Sequence, residues 1–223
     1  IGPKLETFNL EKFLKNNDLE FTEKLKPVYK AIEITRKKLN KEKSLISFIG
    51  APWTILIYML NLRNDYKGLH LDKLNMDFDL ILEELNKYLC IHIKNQIDAG
   101  SDVVQIFDSW AGLIPPPMLD NLCFTPNKKI VDFCKKENIP SICFPKGLKQ
   151  KYEDFNNFVK PNGINLDSET DPIWAREKLE NVVIQGGLDP NILLKSDEEI
   201  IKGATKYIRA FKDTPYIFNL GHG

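Results

Sequence analysis

The chain has 223 residues, 43% hydrophobic and 28% charged, enough to bury a sizeable core in one large domain or two small ones. Basic residues number 31 and acidic residues 31, a balance that disfavours a general nucleic-acid or membrane-surface binder, while a local cluster can still hold a small polyanion. No long unbroken apolar segment and no signal-peptide pattern is present, which predicts a soluble protein.

The elements follow one another with a regular rhythm. Ile1-Gly2-Pro3-Lys4 is turn-like, and the segment to Asn17 is polar and irregular. Leu19 to Leu39 reads as a helix despite Pro27, with Leu25, Val28, Ala31, Ile32 and Ile34 as its apolar positions. Ser44 to Ile49 is a short apolar run, predicted as a buried strand that Gly50 and Pro52 break. Thr54 is expected to cap a helix carrying Tyr58 on its first turns. Asn61 to Met76 is polar and shows no clear period.

Asp79 to Ala99 carries Ile81, Leu85, Tyr88, Leu89, Ile93 and Ile97 at three- and four-residue steps, and Gly100 stops this helix. Val103 to Phe107 is a second strand ending in Asp108-Ser109-Trp110-Ala111-Gly112, and Pro115-Pro116-Pro117 predicts an extended connection. Thr125-Pro126 reads as a cap and first helical residue, opening a helix to about Lys136. Ser141 to Phe144 and Ile164 to Leu166 are further strands, separated by a helix around Tyr152 to Val159. Asp171-Pro172 opens a helix to Leu179, and Val182 to Gln185 is a fifth strand. Ser196-Asp197-Glu198-Glu199 matches a capping box for a helix to about Phe211, and Tyr216 to Leu220 is a sixth strand before Gly221-His222-Gly223.

Serial βα units with buried strands imply a parallel sheet, either a TIM (β/α)8 barrel or a doubly wound sheet. Six strands are visible where a barrel needs eight, so the expectation is one barrel domain over residues 1–223, truncated at both ends, lacking two strands at the start and the last helix. Neither G-x-G-x-x-G after a strand nor G-x-x-x-x-G-K-[ST] occurs, which removes the phosphate cradles of Rossmann and P-loop proteins.

Cys90, Cys123, Cys134 and Cys143 are scattered without a C-x-x-C pair, which predicts buried free thiols in a reducing compartment. His70, His92 and His222 are far apart and lack partners at metal-ligand spacing, and His92 reads as a boundary residue of its helix. The remaining polar groups cluster at strand ends: Trp53, Thr54, Asp108, Ser109, Lys146, Asp167, Glu169, Gln185, Asn219 and His222. In a barrel all of these fall on the C-terminal face, where ligands bind. A histidine between two glycines at a strand tip can approach a ligand closely and move protons near neutral pH.

Four segments together resemble the uroporphyrinogen decarboxylase family: Gly50-Ala51-Pro52-Trp53-Thr54 with Tyr58, Phe107 to Gly112, Gln185-Gly186-Gly187-Leu188-Asp189-Pro190, and Asn219-Leu220-Gly221-His222-Gly223. Their order and rough spacing match across nearly the whole chain. The resemblance implies a homodimeric TIM barrel, needing no metal or organic cofactor, that removes carboxyl groups from the four acetate side chains of uroporphyrinogen to give coproporphyrinogen. It assigns substrate contacts to Tyr58, Ser109 and His222, makes Tyr58 and His222 the candidate catalytic groups, and implies a cytoplasmic setting, with a plastid as the alternative.

The sequence departs from the family twice. The family's arginine-bearing segment and aspartate-bearing strand have no counterpart before Ile1, and Asn61-Leu62-Arg63-Asn64 stands where a glycine-rich loop is usual. These departures predict that the 223 residues are inactive alone. A second expectation is a related barrel methyltransferase of the corrinoid or methionine-synthase kind, but Ile142-Cys143-Phe144-Pro145-Lys146 lacks the histidine of its zinc-binding strand. A third is a non-catalytic tetrapyrrole-binding protein using the same groups.

Overall fold

In the computed structural model, residues 15, 17–60, 62 and 77–222 are described. The expectations for Ile1-Gly2-Pro3-Lys4, for His70 and for most of Asn61 to Met76 lie outside them. The elements are α1 (Asp18–Lys38), β1 (Ile46–Gly50), α2 (Pro52–Met59), α3 (Phe78–Asp98), β2 (Val103–Asp108), α4 (Thr125–Lys136) and β3 (Ser141–Pro145). Then follow α5 (Lys151–Val159), β4 (Gly163–Leu166), α6 (Pro172–Lys178), β5 (Val183–Gly186), α7 (Asp197–Ala210) and β6 (Tyr216–Ile217). The strands form one sheet in the order β1-β2-β3-β4-β5-β6. Every neighbouring pair is parallel.

The sheet is curled. Gln105 of β2 accepts from Gln185 Nε2 of β5 at 3.1 Å. Those strands are separated by β3 and β4, so on a flat sheet they would stand about 14 Å apart. The contact requires the strands to bend toward one another, with Gln105, Asn165 and Gln185 facing the concave interior. Curled parallel strands with helices outside are the TIM-barrel arrangement.

The convex face carries the core. Ile49, Val104, Ile106, Cys143, Ile164, Leu166 and Ile184 point outward from the strands and are buried. Over them lie Leu85, Leu89 and Ile93 of α3, Ile130 and Cys134 of α4, and Tyr152, Phe155 and Val159 of α5. The helices form because these apolar residues recur at helical spacing while charged residues take the outer face. Their starts are also specified: Asp77 caps α3 through the Leu80 amide, and Asp171 caps α6 through the amides of Ile173 and Trp174. Both halves of the Ser196–Glu199 capping box are present at α7.

Four local expectations are corrected. Ala51 occupies the N-cap of α2, with Pro52 in the first turn, and the Thr54 hydroxyl donates instead to the Asp108 carboxylate. Thr125 is likewise not a cap, because a π-turn over Asp120–Phe124 runs directly into α4. The proline run gives way at once to a short 3-10 turn over Pro116–Met118 rather than staying extended. The last strand covers Tyr216–Ile217 only, with a single further bridge from Leu220 to Leu188.

At the N-terminal end of the strands, Arg36 fastens α1 to the sheet. Its guanidinium meets the Asp102 carboxylate at 2.6 Å and donates to the carbonyls of Lys43, Leu39 and Asn40. The same carboxylate accepts the Leu45 amide, so one acidic residue joins α1, the approach to β1 and the start of β2. This leaves the opposite end of the sheet to carry the polar strand tips.

Candidate active site

The C-terminal strand ends form one rim. Tyr58 lies on α2 just beyond β1, Ser109 immediately follows β2, and His222 follows β6. Tyr58 is 47% exposed and stands edge-on to Trp110, with ring centroids 6.3 Å apart and planes at 75°. That contact brings Tyr58 beside the loop that holds Ser109. Ser109 is half-buried, and its hydroxyl has no hydrogen-bond partner among the described residues. His222 is exposed on the far side of the rim, and among the described residues no hydrogen bond or ring contact joins it to Tyr58 or Ser109.

The backbone before His222 is tightly confined. Gly221 N donates to the Leu188 carbonyl at 2.7 Å, and a Cβ there would stand 2.7 Å from the Ser168 amide nitrogen. Only glycine lets the last strand tip pass so close to the end of β4. A second close approach joins the loops after β2 and β3. Gly112 N donates to the Lys146 carbonyl, and a Cβ on Gly112 would lie 3.0 Å from Gly147 Cα.

The aspartates of the rim prove to be internal ties. Asp108 is fully buried and accepts from Thr54 Oγ1 at 2.8 Å, Asn127 Nδ2 at 3.0 Å and Cys123 Sγ at 3.4 Å. Burial pushes its carboxyl up to about 6, while the three donors pull the other way. Asp167 accepts from Tyr152 Oη, the Gly147 amide, the Thr170 hydroxyl and the Glu169 amide. Burial beside that carboxylate raises the Tyr152 phenol well above its usual value. Glu169, Asn219 and Lys146 use their backbones or face solvent, and only Lys146 is half-buried.

Gln185 looks into the concave interior. Its Nε2 donates to Gln105 and to Asn165 Oδ1, at 3.1 and 2.8 Å, while its buried Oε1 has no partner among the described residues. Gln105 and Asn165 were not singled out from the sequence, although each is a lone amide inside an otherwise apolar strand. That anomaly was the available signal, because a polar side chain in a buried strand needs a specific partner.

All four cysteines are free thiols. Cys143, the thiol on the strand considered for zinc, is fully buried on the convex face, and burial raises it well above its usual value. It points away from the interior, toward α4. Among the described residues no cluster of three or more histidine, cysteine, aspartate or glutamate side chains is placed to hold a metal ion, and no helix is long and apolar enough to cross a membrane.

Comparison with known proteins bears on the fold and on the family. Two solved structures share the fold: a methyltransferase from Methanosarcina mazei, at a TM-score of 0.66 and 16% identity, covers 87% of this chain and 58% of its own. A B12-independent methionine synthase from Shewanella sp. W3-18-1 does so at 0.61 and 15%, covering 86% and 59%. Among curated proteins, the uroporphyrinogen decarboxylase of Orientia tsutsugamushi (strain Ikeda) is 42% identical over 209 residues, 90% of this chain and 60% of the relative. Those of Jannaschia sp. (strain CCS1) and Wolbachia pipientis wMel are 33% and 34% identical over the whole chain, which covers 67% and 66% of their lengths. The chain thus spans 60–67% of the length of these relatives. The description "Uroporphyrinogen decarboxylase (URO-D)" fits residues 2–223, and with four family segments on one rim of a curled parallel sheet, the chain belongs to the uroporphyrinogen decarboxylase family.

Proposed function

We propose that the protein carrying this chain decarboxylates the acetate side chains of uroporphyrinogen, giving coproporphyrinogen in haem biosynthesis, without metal or organic cofactor. The observation that carries the reading is the gathering of Tyr58, Ser109 and His222 at the same end of one curled sheet. Family membership supplies the substrate class.

The chemistry suits such a rim. A pyrrole acetate loses carbon dioxide after its ring is protonated, because the cationic ring then accepts the electron pair of the breaking C–C bond. A proton must afterwards reach the new methyl group. In this reading Tyr58 and Ser109 hold side-chain carboxylates through their hydroxyls, and His222 binds a further carboxylate and moves a proton. Exposure of Tyr58 and His222 leaves both free to meet a large polyanion. The working form is a cytoplasmic homodimer.

The test is an anaerobic assay with uroporphyrinogen III, following hepta- to tetracarboxylate products. It is run on this chain and on a hybrid extended to the full length of the 42% identical relative. The hybrid should turn over, and Tyr58→Phe and His222→Asn should each slow it by about 10- to 100-fold. Binding with no loss of carboxylate by the hybrid would make the protein a tetrapyrrole binder and overturn the decarboxylase reading.

A further inference from the structure

We propose that Asp108 is a positioning residue for the ligand-facing pair Tyr58 and Ser109, acting through Thr54 and the backbone of Trp110. The inference rests on the reading of the rim given above. Asp108 is the last residue of β2, and its carboxylate is reached by donors from three elements: Thr54 of α2, Cys123 of the π-turn and Asn127 of α4. An apolar residue would fill this position at lower desolvation cost if packing were the whole requirement. The carboxylate does something packing cannot.

It sets the direction of one hydroxyl. Thr54 Oγ1 donates to Asp108 Oδ1 at 2.8 Å, which leaves its lone pairs to accept the Trp110 amide at 3.3 Å. The adjacent residue, Trp53, donates its indole N–H to the Trp110 carbonyl at 3.0 Å. Consecutive residues of α2 therefore hold both backbone polar groups of Trp110. Ser109 sits between two fastened neighbours, and Tyr58, on the same helix, meets the Trp110 ring at 6.3 Å. The buried carboxylate thereby fixes both groups without touching substrate itself. The π-turn that brings Cys123 and Asn127 under Asp108 is a local distortion of the kind that recurs at functional sites.

Protonation of Asp108 removes the acceptor that orients Thr54. The groups facing it are Thr54 from α2, Cys123 from the π-turn, Asn127 from α4 and Cys143 from β3. Both thiols are driven well above their usual range by burial, so neither contributes charge near neutrality. The device should therefore respond to pH as a single carboxyl group does.

The experiment compares Thr54→Val, which keeps shape and removes the hydroxyl, with Thr54→Ser, which keeps the hydroxyl, and adds Asp108→Asn. Two readouts are taken below the unfolding temperature: uroporphyrin affinity by fluorescence quenching, and the Trp110 indole NMR signal, assigned by its loss in Trp110→Phe. Thr54→Val should weaken binding about tenfold, and Thr54→Ser should stay within about twofold of the parent. The Trp110 signal of the ligand-free parent should move with a midpoint near pH 6, and in Asp108→Asn it should not move. Equal affinities for the two Thr54 variants, or a Trp110 signal indifferent to pH in the parent, would show that Asp108 serves folding alone. Affinities are measured on the full-length hybrid as well; if the hybrid binds no uroporphyrin, the functional reading fails separately, and the Trp110 signal still decides the positioning claim.

Discussion

His92 meets Tyr29 Oη through Nδ1 at 3.0 Å and the Gln96 amide nitrogen through Nε2 at 2.8 Å. The amide donates, so Nε2 accepts and the ring is neutral; burial accordingly lowers its pKa below 6.5. Unfolded chains then take up protons first on acidification, so this group's stability is present above about pH 6.5 and is lost as pH falls below it. Asp108 works in the other direction. Its carboxyl is raised from 3.8 to about 6, so between those values the folded form binds the proton first, and stability rises as pH falls from 6 toward 3.8. Urea unfolding between about pH 4 and pH 7 should therefore show opposite departures from the parent. Asp108→Asn should steepen the acid loss, and His92→Gln should remove part of it. Identical slopes in parent and variants would contradict both assignments. The sequence placed Asp108 at a strand end but could not show its cage, because Thr54, Cys123 and Asn127 lie 54, 15 and 19 residues away and share no local pattern with it.

At the scale of elements, what could be read was what is periodic or locally closed. The helices of the chain and five of six strands follow from apolar spacing, and the Ser196–Glu199 box closes within four consecutive residues. Thr54 and Thr125 differ from expectation for one reason: a threonine near a proline at a helix start resembles a cap, and the outcome depended on partners elsewhere. Thr54 found a buried carboxylate, and Thr125 was absorbed by a π-turn already under way. The distinction is measurable. Ser196→Ala should lower stability by about 1 kcal/mol, as loss of a working N-cap does. Thr125→Ala, at an exposed position with no capping bond, should change it by less than about 0.5 kcal/mol. Equal losses would mean that Thr125 caps α4 after all.

For the whole molecule, the curl of the sheet divides neighbouring residues of one strand between unlike surroundings. In β1, Ile49 faces the helices and is 3% exposed, whereas Phe48 faces the concave side and is 66% exposed. Ile49→Ala should cost about 2–5 kcal/mol in this chain, by lost burial and a residual cavity. Phe48→Ser should cost under about 1 kcal/mol, since its ring gives up little beyond an edge contact with Phe107. Comparable losses from both variants would indicate that the concave face is filled in solution. A parallel sheet of βα units was legible from the repetition of strand, break and helix, which by itself left a barrel and a doubly wound sheet both open. The facing of Gln105 toward Gln185 was not legible, because curvature is a property of the assembled sheet and no single βα unit encodes it.

That pair of glutamines also bears on how the chain assembles. Their side chains meet across 80 residues of sequence, a separation whose direct closure would carry a large entropic penalty. The strand order allows it to be avoided. Strands adjacent in the sheet are consecutive in the chain, so docking each on the one before it would divide the long loop into shorter ones. The glutamine bond can close only when β3, β4 and β5 are all in register. During synthesis, a chain that has not yet delivered β5 leaves Gln105 without its Gln185 donor, and capture of that side chain marks the moment at which a ribbon of strands acquires an inside.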